Sequence, residues 1–282
     1  MWCTPGTRLY GLIGSPIRHS LSPLIHCTLY KRHGVDAVYL AWETGLDKLG
    51  ERVGALRSLS RGFNITIPLK ERIIELLDEL SREAREIGAV NTVDNRGGKL
   101  VGYNTDYLGV TRCLENHEPQ VALVIGAGGA ARAVVYALCK LGAKKLLIAN
   151  RGVERAARLA EWANQLGIEA EALPLTRAQE AAKRADTIVN ATPLGSQACC
   201  PEEAPPVLSA LDSNKLVFDL VYKPIKTKLL REAERKGAKT VTGLCMLIWQ
   251  ALYADKIWLG ITPSKEDYTY IEKLVTEKLE PS

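Results

Sequence analysis

The segment FNITIPLK, residues 63–70, gathers an amide (Asn64), a hydroxyl (Thr66) and an ammonium (Lys70) around a proline that stops a strand. Alternation puts Asn64 and Thr66 on one face. Pro68 ends the strand and suits the first turn of a helix, which places Lys70 just inside that helix. Other polar residues stand at later strand ends: Asn91 in GAVNT, and Asn104, Thr105 and Asp106 in GYNTD. If Lys70 and Asp106 face one cleft, the pair can exchange a proton with a substrate hydroxyl or ketone, the lysine being tunable by desolvation. Periodicity alone serves equally well for Asp106 as a helix cap. GSPIRHSLSP, residues 14–23, brings Ser20 and Ser22 to the start of a helix. One cap needs one serine, so the second hydroxyl is available to a carboxylate or a polyol.

A second chemistry is written in GAGGAA, residues 126–131, which follows a continuous apolar strand and opens a helix. In that context the glycines make a dinucleotide turn: Gly126 permits the tight bend, Gly128 lets backbone amides approach a pyrophosphate, and Ala131 keeps helix and strand close. The diphosphate would sit on the helix N-terminus, where unpaired N–H groups favour anions. An NAD site places a carboxylate about 20 residues further on. Here the next strand ends in Asn150 and Arg151, with Arg155 a helical turn later. Guanidinium groups suit the 2′-phosphate of NADP, so NADP is the expected cofactor.

The elements needed to hold these groups are legible. RLYGLIG, AVYLAWE and FNIT alternate with helices over SPLIHCTLYKRHG and LDKLGERVGALRSLS, as in βαβ units of a parallel sheet. The charged run LKERIIELLDELSREARE is expected to be helical. VNTVDNRGGKLVGYNTD reads as a hairpin about Asn95 to Gly98, finishing that first sheet with a mixed edge. After a helix over TDYLGVTRCLEN and a break at 117–120, VALVIGAG restarts the alternation as a dinucleotide-binding unit, and apolar helices close the chain. The fold class is therefore α/β, with a first α/β domain at 1–104, a dinucleotide-binding Rossmann domain at 105–242, and a C-terminal helical segment at 243–282.

Composition narrows the alternatives. At 282 residues and 46% hydrophobic, the chain has material for two cores. No run approaches the roughly 18 apolar residues of a membrane helix, and residues 1–10 lack signal-peptide character, so a cytoplasmic protein is expected. The seven scattered cysteines, with no C-x-x-C, are expected to be free thiols. Four histidines without ligand spacing imply no metal. A net charge of +5 without basic runs argues against nucleic acid and mildly favours small anions.

GSPIRHSLSP, FNITIPLK, GAVNTV, GYNTD, GAGGAARA, Asn150-Arg151, NATPLG, DLVYKP and GLCMLIWQ occur in the order and spacing of the shikimate dehydrogenases, from Gly14 to Gln250. The sequence resembles that family, NADP-dependent oxidoreductases that reduce 3-dehydroshikimate to shikimate in aromatic amino-acid and chorismate biosynthesis. The resemblance implies a substrate domain, a Rossmann domain and C-terminal helices returning to the first domain, with the active site in the cleft between. It implies Ser20 and Ser22 on the substrate carboxylate. Thr66, Asn91, Asp106 and Gln250 would hold its hydroxyls, with Tyr222 nearby, and Lys70 and Asp106 would be the catalytic pair. It also implies cofactor contacts from Gly126, Ala127, Gly128, Gly129, Ala130, Asn150, Arg151, Arg155, Thr192, Leu220 and Gly243.

Three residues depart from the family pattern: Cys27 where Asn is frequent, Gly152 where Thr is frequent, and Cys245 where Gly is frequent. Gly152 lacks a hydroxyl for the 2′-phosphate, and Cys245 adds bulk near the expected nicotinamide. The rival readings are a quinate/shikimate dehydrogenase, a tetrahydrofolate dehydrogenase sharing the two-domain plan, and a non-catalytic NADP sensor. The assembly is expected to be a monomer or a homodimer.

Overall fold

A computed structural model describes residues 3–279. The chain divides into two compact units, Met1–Thr105 with Ile248–Val275, and Asp106–Leu247 with Thr276–Ser282.

In the first unit, β1 (Arg8–Gly14), α1 (Ser22–Arg32), β2 (Ala37–Glu43), α2 (Leu49–Leu59) and β3 (Gly62–Ile65) form the parallel part of a sheet. After β4 (Glu79–Leu80) and α3 (Arg82–Ile87), β5 (Thr92–Arg96) and β6 (Lys99–Tyr103) make the hairpin, turning on Gly97 and Gly98 with φ of 65° and 99°. The order β2-β1-β3-β5-β6-β4 is mixed, because β5 runs antiparallel to both of its neighbours. Ile13, Phe63, Ile65, Leu69, Ile73 and Val93 fill one face of this sheet.

The run 69–86 is not one helix. A short 3₁₀ turn at Arg72–Leu76 gives way to β4, and Ser81 then caps α3, its Oγ accepting the Ala84 N–H at 3.1 Å. Asp78 explains the interruption. Its N–H donates to the Leu100 carbonyl and its carboxylate accepts the Leu100 N–H, so pairing with the hairpin overrides local helix propensity. Lys70 consequently lies in the turn before the 3₁₀ segment and not inside a helix.

The second unit begins with α4 (Asp106–Cys113) and continues through β7 (Val121–Ile125), α5 (Gly129–Lys140), β8 (Lys145–Asn150), α6 (Val153–Gln165) and β9 (Glu169–Pro174). Next come α7 (Ala178–Arg184), β10 (Thr187–Asn190), β11 (Leu216–Asp219), α8 (Lys228–Arg235) and β12 (Lys239–Val241). All six strands pair in parallel in the order β12-β11-β10-β7-β8-β9, the doubly wound arrangement whose order reverses beside β7. Residues 122–125 are buried, as a strand covered on both faces requires. α9 (Gly243–Leu259) begins in this unit and continues into the first, followed by α10 (Lys265–Leu279).

The cysteines correct one expectation. Cys113, the last residue of α4, and Cys245, in the first turn of α9, form a disulfide within the second unit. Cys3, Cys27, Cys139, Cys199 and Cys200 are free thiols.

Candidate active site

In the first unit the polar residues converge on the carboxyl ends of β1, β3 and β6 and the amino end of the antiparallel β5. Asn91, 2% exposed, is the node. Its Oδ1 accepts the Thr105 N–H at 2.6 Å and the Thr92 hydroxyl at 3.0 Å. Its Nδ2 donates to Thr105 Oγ1 at 2.9 Å and to Gln250 Oε1 at 3.3 Å. Asn64 joins from β3, donating to the Asn91 carbonyl and to Thr92 Oγ1. Asn104 donates to the Ala89 carbonyl and so fixes the turn that presents Thr105. A buried polar network satisfied in this way is rigid, since each broken bond leaves a desolvated group behind.

Thr66 stands just past β3, held by its N–H to the Ile13 carbonyl. A Cβ at Gly14 would lie 2.3 Å from Thr66 Cγ2, so the close passage of β1 beside Thr66 requires glycine there. Lys70 is half-buried, and its carbonyl accepts the Val90 N–H, tying its backbone to the lead into β5. Ser22 is buried and Ser20 half-buried. The N-cap of α1 is Leu21, with no side-chain cap. Ser20 Oγ accepts only a long bond from the Ser22 N–H, 3.3 Å, so neither hydroxyl is consumed by ordinary capping.

Sequence reasoning missed what lies behind these residues. Tyr39 of β2 donates its hydroxyl to Asn64 Oδ1 at 2.7 Å. His26 stacks on the Tyr39 ring and pairs with Asp255 of α9, both buried. One signal was available: Ser22 and His26 are four residues apart and share a helix face.

In the second unit, Asp106 opens α4 and is buried. Gly126 has φ of 115°, and a Cβ there would lie 2.9 Å from the Ala191 carbonyl oxygen. Gly128 is exposed, and a Cβ there meets nothing within 4 Å. Gly128 is also the N-cap of α5, with no side chain capping the helix, so the amides of Gly129, Ala130 and Ala131 await an acceptor. Ala131 is buried, as close helix–strand packing demands. This open cradle on a twelve-residue helix fits a dinucleotide diphosphate.

At the end of β8, Arg151 and Arg155 are exposed, Arg155 in the first turn of α6. Asn150 Nδ2 donates to the Gly152 carbonyl, so it shapes the turn while both arginines stay exposed. The hydroxyl of Thr192 donates to Asn190 Oδ1, and its methyl group closes over Gly126. The Leu220 N–H donates to the Asn190 carbonyl, and Gly243 packs so tightly on Leu220 that a Cβ would lie 2.4 Å from its oxygen. Tyr222 is half-buried, and burial raises its phenol above the ordinary range. Burial likewise pushes the Asp219 carboxyl up to about 6, against the pull of its donors Thr227, Val221 and Asn190.

Residues 12–93 match the shikimate dehydrogenase substrate binding domain, and residues 110–228 match the shikimate/quinate 5-dehydrogenase domain. The chain belongs to the shikimate dehydrogenase family. An NADP⁺ shikimate dehydrogenase of Thermococcus kodakarensis is 42% identical over 92% of this chain and 93% of that protein. One from Halothermothrix orenii is 44% identical over 91% and 92%. Among solved structures, shikimate 5-dehydrogenase of Thermus thermophilus in complex with NADP(H) and shikimate superposes with a TM-score of 0.84 at 38% identity, covering 95% of this chain and 99% of that one. Quinate dehydrogenase of Corynebacterium glutamicum in complex with NAD gives 0.86 at 33% identity, with the same coverage. Family membership thus accounts for both units. Among the described residues, no helix is long and apolar enough to cross a membrane, and no group of three or more His, Cys, Asp or Glu is placed to hold a metal.

Proposed function

We propose that this protein is an NADP-dependent shikimate dehydrogenase, interconverting shikimate and 3-dehydroshikimate. The observation that carries the reading is the buried node at Asn91, which joins β3, β5, the GYNTD turn and α9 into one rigid polar wall. A wall of amides and hydroxyls suits a small polyol, and the two serines of α1 add hydroxyls for a carboxylate.

Bound NADP supplies the hydride donor or acceptor. In the reductive direction, Lys70 stabilises the oxyanion growing on the ketone oxygen and delivers the proton, with Asp106 as its partner in proton exchange. Ser20 and Ser22 bind the carboxylate, and Thr66, Asn91 and Gln250 orient the ring hydroxyls, with Tyr222 beside them. The cradle of residues 126–130 takes the diphosphate, Arg151 and Arg155 take the 2′-phosphate, and Thr192, Leu220 and Gly243 line the path to the nicotinamide.

The test is the absorbance of reduced nicotinamide, with shikimate or quinate as substrate and NADP or NAD as cofactor. Turnover of shikimate with NADP exceeding every other pairing is the expected result. Faster turnover of quinate, or none with any pairing, would overturn the reading.

A further inference from the structure

The hydroxyl of Tyr39 lies behind the proposed substrate wall. Asn64 Nδ2 donates to a carbonyl, which fixes its amide orientation and leaves Oδ1 as a pure acceptor for the Tyr39 proton. A phenol has one proton, and Asn64 takes it, so Tyr39 holds the Asn64 amide from behind.

The ring itself is held from behind. His26 stacks on Tyr39 with centroids 4.3 Å apart and planes 9° from parallel. His26 Nδ1 lies 2.8 Å from Asp255 Oδ1, and neither side chain reaches solvent. Burying an imidazole and a carboxylate is costly unless their geometry is fixed, and two apolar residues would pack as well at less cost. The first unit retains the pair at the one place where its ring backs the tyrosine.

We propose that Tyr39 is a positioning residue of the substrate site: its hydroxyl sets the orientation of Asn64, which in turn holds Asn91 and Thr92, and the His26–Asp255 pair holds its ring in place. The inference rests on the shikimate dehydrogenase reading and deepens it. Tyr39 does not touch the reacting atoms.

Tyr39→Phe keeps the ring and removes only the hydroxyl. KM for shikimate is expected to rise roughly three- to tenfold, the loss of one buried hydrogen bond, while kcat and KM for NADP stay within about twofold. Because Tyr39 acts through Asn64, the double variant Tyr39→Phe/Asn64→Ala should raise KM by less than the product of the single effects. Asp255→Asn should shift KM the same way by a smaller factor, and it carries the same split if Tyr39→Phe does not fold. An unchanged KM in Tyr39→Phe, or multiplicative single effects, would overturn the inference. So would a joint loss of kcat, both KM values and melting temperature. A wild-type protein inert to shikimate would instead remove the functional reading and this inference with it.

Discussion

Lys70 and Asn91 divide the labour of the substrate site between chemistry and rigidity. Asn91 has its amide engaged by Thr92, Thr105 and Gln250, so it holds a shape, whereas Lys70 stands in the turn after β3, its carbonyl accepting the Val90 N–H. If Lys70 stabilises charge that appears only in the transition state, Lys70→Ala should lower kcat by about 10²-fold or more with a far smaller change in KM for shikimate. Steady-state kinetics decide this: a near-normal kcat with a raised KM would make Lys70 a binding group. Residue types at strand ends were readable, because amides, hydroxyls and a lysine cluster where α/β sites form. The side chains behind them were not. Tyr39, His26 and Asp255 come from β2, α1 and α9, and nothing in local spacing links position 26 to position 255.

At the scale of elements, the start of α5 separates two uses of glycine. Gly126 is required by the fold, since its φ is positive and the Ala191 carbonyl blocks a side chain, whereas nothing in the protein opposes a side chain at Gly128. Gly128→Val should therefore raise KM for NADP by at least about tenfold while leaving the melting temperature without cofactor unchanged. Gly126→Val should lower both stability and NADP binding. A Gly128→Val enzyme with normal KM for NADP would put the diphosphate elsewhere. At the end of β8, Arg151→Ala should weaken NADP and leave NAD nearly unaffected, removing most of a preference of about 10²-fold in kcat/KM, since each charge-assisted contact contributes roughly 1.5 to 3 kcal/mol. Equal impairment with both cofactors would mean that the arginine does not read the phosphate. These turns were legible because glycine and helix-start chemistry are local. The segment 69–86 was misread because strand pairing through Asp78 is not.

For the whole chain, strand–helix alternation foretold two sheets and the doubly wound order, but no periodicity foretold that most of α9 and of α10 would complete the first unit. The disulfide was equally hidden, since Cys113 and Cys245 are 132 residues apart and form no spacing motif. It joins the end of α4, which opens with Asp106, to the first turn of α9, closing a loop that embraces the entire doubly wound sheet. Cross-linking so long a loop restricts the unfolded chain, and the stabilisation on that model is about 5 kcal/mol. Because the bond and its loop lie within the second unit, the effect should appear in the unfolding of that unit. Cys113→Ser or Cys245→Ser should melt roughly 10 to 20 °C below the wild type under non-reducing conditions, and the wild type should fall to the same temperature when reductant is added. The variants should not respond to reductant at all. Thermal denaturation of the three proteins with and without reductant makes the comparison, and a wild-type melting temperature indifferent to reductant would show that the bond contributes nothing to holding the second unit folded.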